Sequence, residues 1–283
     1  MTVLVLGATG KTGLSVVDAL VARGVRVRAA SRNPGPASAG VEPVRFDWAD
    51  RATWGPALRE IDGLYIVGPY ALPGEPALVR DLLAAAPHAS RVVLLSVLGV
   101  DRLPDVIPMA VWEADVRASG KEWTILRPNW FQQNFGEGFG TLLRENGMLA
   151  LPAADAELGF VDTRDIAEVA AAALTEEGHA GETYILTGPE ALMYDQVVRV
   201  LGEAAGRELR YIPISADQFA DGLREAGLDE GSITWQLGLF RLIREGTNAL
   251  VNDTVERITG RPARSLKSYA SENAALWGSG PQA

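Results

Sequence analysis

The chain has 283 residues, of which 47% are hydrophobic and 22% charged, proportions typical of a globular protein that buries a core. Its formal net charge of −10 argues against a nucleic-acid-binding surface, because contacts to phosphates need clustered lysine and arginine. The absence of cysteine excludes disulfides, thiolate nucleophiles and cysteine-based metal sites. No segment is long and apolar enough to cross a bilayer and no signal peptide precedes the first strand, so we expect a cytoplasmic protein without a membrane partner.

The first strand, turn and helix of the chain carry a pattern of three glycines. Residues 3–6 are an uninterrupted apolar run, which predicts a strand buried on both faces, and apolar residues at helical spacing follow over 14–20. Gly7, Gly10 and Gly13 lie between them. In this context we expect Gly7 to form a tight turn, Gly10 to admit a pyrophosphate and Gly13 to pack the helix close to the strand. The stretch therefore predicts a dinucleotide site.

The following segments alternate between strand and helix. Strands are predicted at residues 25–30, 41–46, 63–67, 91–96 and 123–126, and helices around 51–59, 75–86 and 109–118. Such alternation is typical of right-handed crossovers and a parallel sheet covered on both faces. The predicted fold class is α/β, a doubly wound parallel sheet of the Rossmann type.

Beyond Pro128 the pattern changes. A glycine-punctuated segment reaches residue 151, an alanine-rich helix is predicted at 166–174, and one more strand at 182–186. From Tyr194 onward the chain is mainly helical, with a short strand near 210–212. We predict a nucleotide-binding domain of residues 1–128 plus about 157–187, and a smaller substrate-binding region of 129–156 plus 188–283. A cleft is expected where the strand ends point.

The end of the second predicted strand indicates which nucleotide binds. An NAD site holds the ribose hydroxyls with an acidic residue there, but this chain reads Ala-Ala-Ser-Arg-Asn over residues 29–33. Arg32 with Ser31 can bind a 2′-phosphate, and Lys11 in the glycine turn can add a second positive contact. The alternative for Arg32 is a solvated loop charge. These residues favour NADP(H) over NAD(H).

Four stretches together resemble the NmrA-like branch of the atypical short-chain dehydrogenase/reductases. They are Gly-Ala-Thr-Gly-Lys-Thr-Gly at 7–13, Ser-Arg-Asn-Pro at 31–34, Trp-Thr-Ile-Leu-Arg-Pro at 123–128 and Asn-Trp-Phe-Gln-Gln-Asn-Phe at 129–135. The last two are the more discriminating, and the resemblance covers nearly the whole chain. Members of this family include quinone reductases, azoreductases, imine reductases, tailoring enzymes of aromatic polyketide pathways and non-catalytic NADP-sensing regulators.

The resemblance implies positions for the site residues. Asp47 would lie by the adenine, Gly68, Pro69 and Tyr70 on the nicotinamide side with Ser96 nearby, and residues 129–134 along one wall of the substrate cleft. With the glycine turn, the predicted cofactor-binding residues are Gly7, Thr9, Gly10, Lys11, Thr12, Gly13, Ser31, Arg32, Asp47, Gly68, Pro69, Ser96 and Asn129. The predicted substrate-binding residues are Tyr70, Trp112, Trp130, Phe131, Gln133 and Asn134, and the alternative for each aromatic side chain is the core.

The catalytic pattern of typical short-chain reductases is missing. None of the three lysines lies four residues after a tyrosine, so the chain has no Tyr-x3-Lys pair. If Glu113 matches the glutamate of the family helix, the usual lysine position falls on Met109 and the usual tyrosine position on Asp105. Ketone reduction needs a proton delivered to oxygen, and is therefore disfavoured. Reduction of a quinone, an iminium, an azo bond or a conjugated enone stays compatible with the missing pair.

The catalytic residues are unknown at this point, with Tyr70, Asn129, Gln133 and Asp105 as candidates. Glu113 is expected to be an ordinary solvated helix charge that can face the cleft. The two histidines lie in loop-like settings, so no metal site is supported. The first hypothesis is an NADPH-dependent oxidoreductase of a planar aromatic, quinonoid or imine-type small molecule. The alternatives are an NADP(H)-sensing regulator and a secondary-metabolite tailoring enzyme without net reduction. A homodimer is left open.

Overall fold

The computed structural model describes residues 1–70, 72, 75, 77–104 and 107–278. Its strands are β1 Thr2–Leu6, β2 Arg26–Ser31, β3 Val41–Arg45, β4 Gly63–Val67, β5 Arg91–Leu95, β6 Glu122–Pro128, β7 Met148–Leu151, β8 Glu157–Leu158, β9 Glu182–Leu186, β10 Leu192–Met193 and β11 Arg210–Pro213. Its α-helices are α1 Lys11–Ala22, α2 Trp54–Leu58, α3 Leu78–Ala85, α4 Pro108–Arg117, α5 Phe139–Asn146, α6 Thr163–Thr175, α7 Tyr194–Ala205, α8 Ala216–Glu225, α9 Glu230–Arg244, α10 Thr254–Thr259 and α11 Leu266–Glu272.

The chain divides into two compact units. The first unit comprises residues 1–128, 163–186 and 254–261, and the second comprises 129–162, 187–253 and 262–283. Residues 157–162, which the sequence placed with the nucleotide-binding domain, thus belong to the second unit. Residues 254–261, which the sequence placed with the substrate region, belong to the first, where α10 packs against α6.

The first unit is built on a seven-stranded parallel sheet in the order β3-β2-β1-β4-β5-β6-β9. The order reverses between β1 and β4, which is the switch point at which doubly wound sheets bind ligands. Helix α1 packs against α6, while α3 packs against α4. This confirms the predicted doubly wound α/β fold.

Side-chain chemistry explains the central and edge positions of the strands. Residues 3–6 of β1 are fully buried, as an apolar run covered on both faces must be. Strand β3 pairs only with β2 among the described strands and carries Pro43, which has no N–H for a second ladder. The predicted strands agree with β1 to β6 and β9, within three residues at each end.

The second unit holds two small sheets and an aromatic core. Strand β7 pairs in parallel with β11, and β8 pairs antiparallel with β10. Phe135, Phe160 and Tyr194 meet edge to face at ring distances of 5.2 to 6.1 Å. The indole of Trp277, also buried, donates a hydrogen bond of 2.6 Å to the carbonyl of Phe135. This bond fixes the C-terminal helical turn on the core of the unit.

Candidate functional site

The glycine turn between β1 and α1 has the geometry that its sequence predicts. Gly7 has a φ of +66°, a region that favours glycine. A Cβ on Gly13 would lie 2.1 Å from the carbonyl oxygen of Gly7, so the helix contacts the turn too closely for any side chain. A Cβ on Gly10 would have one described atom within 4 Å, the carbonyl oxygen of Gly7 at 3.2 Å. The space beyond Gly10 is therefore open to a ligand.

The N-terminus of α1 is suited to an anion. Its cap residue, Gly10, makes no side-chain capping bond, and its first turn holds no acidic residue. The first N–H groups of a helix have no partner within the helix and carry a partial positive charge. Thr9 is exposed, Lys11 is half-buried and Thr12 is buried under the turn. The turn can thus bind a pyrophosphate through its backbone.

The end of β2 lies beside the glycine turn. The N–H of Ala8 donates to the carbonyl of Ala30 at 3.0 Å, one residue before Ser31. The Ser31 hydroxyl oxygen is buried with no hydrogen-bond partner among the described residues. The Arg32 side chain is exposed, and no ion pair with it is found in the described ranges. A hydroxyl and a neighbouring guanidinium that both lack a partner in the described part of the chain fit a 2′-phosphate, whose oxygens can accept from both.

Asp47 is held in a turn that follows β3. Its Oδ1 accepts from the N–H of Ala49 at 3.0 Å, and its carbonyl accepts from the indole of Trp54 at 3.0 Å. The turn is tied to β2, because the N–H of Phe46 donates to the carbonyl of Ser31 at 2.9 Å. The structure therefore brings Asp47 to the same strand end as Ser31 and Arg32, on the side where the resemblance implies an adenine.

Gly68 and Tyr70, at the carboxyl end of β4, lie against Trp112 of α4. A Cβ on Gly68 would be 2.2 Å from the Trp112 ring, so that ring lies directly on the backbone. Tyr70 meets Trp112 edge to face at 5.0 Å, and its residue surface is 48% exposed. Trp112 is 1% exposed. This corrects the expectation that Trp112 itself lines a substrate surface. The buried ring instead packs against the backbone of Gly68 and the ring of Tyr70.

Glu113 forms a buried charge network that the sequence did not predict. It is 2% exposed, and its Oε1 accepts from the Ser96 hydroxyl at 2.6 Å and from Nε of Arg127 at 2.9 Å. Its Oε2 accepts from Arg127 at 2.7 Å and from Arg117 at 2.8 Å. Arg127 also pairs with Asp101 at 3.3 Å. The expectation of a solvated helix charge is wrong, because two arginines bury this carboxylate.

The network fixes the protonation of its members. Burial alone would raise the pKa of Glu113, but the hydrogen bonds from Arg127 and Ser96 and the charge of Arg127 lower it below the ordinary glutamate value. The carboxylate is therefore ionised near neutral pH. Because Ser96 donates its proton to this carboxylate, its hydroxyl has only lone pairs left for other partners. Ser96 is thus unsuited to donate a proton to a substrate.

Tyr70 is the exposed phenol at the carboxyl end of β4. Desolvation raises the pKa of its hydroxyl to about 12, although half of the residue surface is exposed. It therefore stays protonated in neutral solution and is a weak acid. Tyr65 lies within β4 and is fully buried, and this burial raises the pKa of its hydroxyl. Neither phenol has a lysine four residues later to lower its pKa.

In the second unit, Asn129 is fully engaged with Asn248. Its Nδ2 donates to the Asn248 carbonyl at 2.8 Å, and its Oδ1 accepts from the Asn248 amide at 2.9 Å and from the N–H of Trp130 at 2.9 Å. The side chain is buried. These bonds use both lone pairs of Oδ1 and one of the two N–H groups of Nδ2, and they give Asn129 a structural role within the second unit.

The residues that follow Asn129 form an irregular segment of the same unit. Trp130 packs against Phe240 at a ring distance of 5.4 Å, and Phe131 bridges in parallel to Val161. Gln133 donates from Nε2 to the buried carboxylate of Asp162 at 2.9 Å. Trp130, Phe131, Gln133 and Asn134 are each partly exposed. These contacts tie Trp130 to α9, and Phe131 and Gln133 to the residues that precede α6.

Three further predictions concern Asp105, metal ions and membrane-spanning helices. Asp105, a candidate proton donor, lies outside the described residues. Within the described ranges, no group of three histidine, aspartate or glutamate side chains has an arrangement that could hold a metal ion. A search of the same residues for a helix able to span a membrane finds none.

Comparison with known proteins places the chain in a family. The model of the NmrA-like family matches residues 1–232. The chain belongs to the NmrA-like family. It is 34% identical to the uncharacterized oxidoreductase YesF of Bacillus subtilis, over 97% of this chain and 96% of that protein. It is 32% identical to an NAD(P)H azoreductase of Xenophilus azovorans, over 98% and 99% of the two chains.

A solved structure resembles this NmrA-like protein over nearly its whole length. The NADPH-dependent quinone oxidoreductase QOR2 of Escherichia coli, in complex with NADPH, superposes with a TM-score of 0.82 at 25% identity. The match covers 96% of this chain and 99% of that one. These relatives are oxidoreductases by name, and two of the three names state a nicotinamide cofactor.

Proposed function

We propose that this protein is an NADPH-dependent oxidoreductase that acts on a planar aromatic, quinonoid or imine-type small molecule. The observation that carries the proposal is the constellation at the switch point of the sheet. The glycine turn offers backbone N–H groups, and beside it Ser31 and Arg32 have unsatisfied hydrogen-bonding capacity among the described residues. The relatives named above, an azoreductase and a quinone oxidoreductase, support both the cofactor and the class of acceptor.

The residues around the glycine turn would hold the cofactor. Backbone N–H groups in the first turn of α1, over residues 11–13, would bind the pyrophosphate, with the side chains of Thr9, Lys11 and Thr12 beside them. Arg32 and Ser31 would bind the 2′-phosphate, and the turn at Asp47 would border the adenine. Gly68, Pro69 and Ser96 follow β4 and β5, adjacent strands of the sheet, and would lie on the nicotinamide side. When bound, NADPH supplies the hydride.

The protonation of the side chains determines the acceptor class. If Glu113 matches the family glutamate, the position of the usual lysine holds Met109, a buried thioether that carries no charge. The Ser96 proton is committed to Glu113, and the raised pKa of Tyr70 makes its phenol a poor acid. Among the described residues named here, none would supply a proton to the alkoxide that a ketone develops, whereas a quinone, an iminium or an azo group can take up a hydride before it is protonated. Water then protonates the product.

Each unit has partly exposed side chains among the residues predicted to bind the substrate. Tyr70 in the first unit offers a ring held edge-on by Trp112. Trp130 and Phe131 in the second unit offer partly exposed rings, and the amides of Gln133 and Asn134 offer hydrogen bonds. Positioning a flat acceptor accelerates transfer by fixing its distance and orientation. Asn129 contributes by holding this segment in place through Asn248.

The experiment is a turnover assay with matched acceptors. Purified protein is mixed with NADPH or NADH and with menadione, an azo dye or a simple aliphatic ketone, and loss of the reduced nicotinamide absorbance is followed. We expect oxidation of NADPH with the quinone or the dye, slower oxidation of NADH and none with the ketone. NADPH binding without turnover of any acceptor would favour the regulator instead, and a changed product without net NADPH consumption would favour the tailoring enzyme.

A further inference from the structure

The carboxylate of Glu113 has both of its oxygens fully occupied by donors. Oε1 accepts from the Ser96 hydroxyl at 2.6 Å and from Nε of Arg127 at 2.9 Å. Oε2 accepts from Arg127 at 2.7 Å and from Arg117 at 2.8 Å. An ionised carboxylate offers about four lone pairs and no proton. Each group around it must therefore donate, and the O–H of Ser96 is held pointing at Glu113.

Ser96 is thereby fixed as a hydrogen-bond acceptor toward any further partner. The bond to Glu113 is the one bond that the described residues give its hydroxyl, and a hydroxyl oxygen also has lone pairs with which to accept. Its backbone is fixed as well, because its N–H donates to the carbonyl of Leu126 at 2.8 Å. Ser96 is 4% exposed, and a hydrogen bond shielded from water is stronger than the same bond in water. This oxygen therefore favours a ligand that offers it an N–H group.

The position of Ser96 in the sheet indicates which part of a dinucleotide it meets. Ser96 directly follows β5, on the far side of the switch point from β2. A dinucleotide binds across the point where the strand order reverses, with one half on each side. With the 2′-phosphate at the end of β2, as proposed above, the nicotinamide half extends toward the ends of β4 and β5. Trp112, which precedes Glu113 in α4, lies on Gly68 at the end of β4, so one turn of α4 fastens both strand ends.

We propose that the Ser96 hydroxyl accepts a hydrogen bond from the carboxamide N–H of the nicotinamide, and that Glu113 is the positioning residue that keeps the hydroxyl in this role. This inference rests on the proposed function, from which it takes the cofactor. The carboxamide is the amide of the nicotinamide half, and its NH2 group can only donate. Glu113 acts through Ser96 and does not itself touch the cofactor.

The test compares NADP⁺ with its 3-acetylpyridine analogue, in which a methyl group replaces the NH2 of the carboxamide. Both dissociation constants are measured by calorimetry, so the comparison needs no turnover. We expect the wild type to bind NADP⁺ roughly three- to tenfold more tightly, the net value of one hydrogen bond. In Ser96→Ala the ratio of the two constants should fall to about one, because neither nucleotide then meets an acceptor. A variant that only loosened the site would weaken both nucleotides and keep the ratio.

Glu113→Gln tests the positioning role. Its amide can donate to Ser96 as well as accept, so the hydroxyl is no longer held in one direction, and the ratio should fall below that of the wild type. The matched control is Glu122→Gln, which breaks a pair with Arg91 at 3.0 Å at the other end of β6 from Arg127 and should keep the wild-type ratio. Ser96→Ala removes no charge, so the test of the contact does not depend on the stability of Glu113→Gln.

The possible results separate this inference from the proposed function. A preference for NADP⁺ that Ser96→Ala abolishes supports the contact even when no acceptor is reduced. Equal affinities of the wild type for both nucleotides, no binding of either, or a preference that Ser96→Ala retains would overturn the contact, whatever the turnover assay shows. A ratio in Glu113→Gln equal to that of the Glu122 control would overturn the positioning role.

Discussion

Replacing Glu113 with glutamine tests the buried charge network. The amide keeps the shape of the side chain but removes the negative charge that faces Arg127 at 2.7 Å and Arg117 at 2.8 Å. Removing one partner of a buried ion pair costs about 3 to 5 kcal/mol, because the other charge stays buried without compensation. Here Arg127 retains Asp101 at 3.3 Å and Arg117 is more exposed than Arg127, so we expect the low end, about 3 kcal/mol.

The assay is thermal and urea unfolding of the wild type and the variant. A loss of about 3 kcal/mol predicts a midpoint roughly 6 to 10 °C lower for a chain of this size. The matched control is Glu176→Gln, which breaks an exposed pair with Arg23 at 3.6 Å and should cost less than about 1 kcal/mol. Equal effects of the two substitutions would refute the argument that burial makes the Glu113 pair strong.

The dependence on pH adds an independent check. Because the pKa of Glu113 is lowered in the folded protein, its stabilising contribution is present above the unfolded glutamate pKa and is lost as pH falls through the folded pKa. The difference in free energy of unfolding between wild type and Glu113→Gln should therefore shrink in acid. A difference that stays constant into strong acid would show that the carboxylate charge is not its source.

Three substitutions at the cofactor site give distinct results. Arg32→Ala should weaken NADPH binding roughly 10- to 100-fold by calorimetry, as expected for a lost charge-assisted contact, and leave NADH binding nearly unchanged; equal weakening would mean that Arg32 does not touch the 2′-phosphate. Gly10→Val should abolish NADPH binding at the cost of a small shift of the turn, since the φ of −91° suits any residue but the new Cβ would lie 3.2 Å from the carbonyl oxygen of Gly7; tight binding would place the pyrophosphate elsewhere. Gly13→Ala should lower the unfolding midpoint, because its Cβ would meet backbone at 2.1 Å, and an unchanged midpoint would contradict that packing.

Local signals in the sequence were sufficient to predict the strands of the large sheet and the glycine turn. The apolar run of β1 and the spacing of Gly7 and Gly13 depend on neighbours a few residues away, and the structure places them as predicted. Strand β7 was not predicted, because its alternating residues follow a glycine-rich segment and its partner β11 lies about sixty residues further along the chain.

The site side chains depend on distant partners, and here the sequence was less informative. The Glu113 carboxylate is buried by Arg127, 14 residues away, and by Ser96, 17 residues away. Its spacing of four from Arg117 was the one local signal of a paired charge. Asn129 is predicted to contact the cofactor, and the structure adds a partner that the sequence did not indicate, Asn248, which lies 119 residues away. No pattern of spacing could reveal that pair.

The most direct test of the account is the titration of the purified protein with NADPH and with NADH by calorimetry. The account predicts a single site that binds NADPH at least about tenfold more tightly than NADH, because one charged contact to the extra phosphate contributes about that much. Absence of NADPH binding, or equal dissociation constants for the two nucleotides, would contradict it.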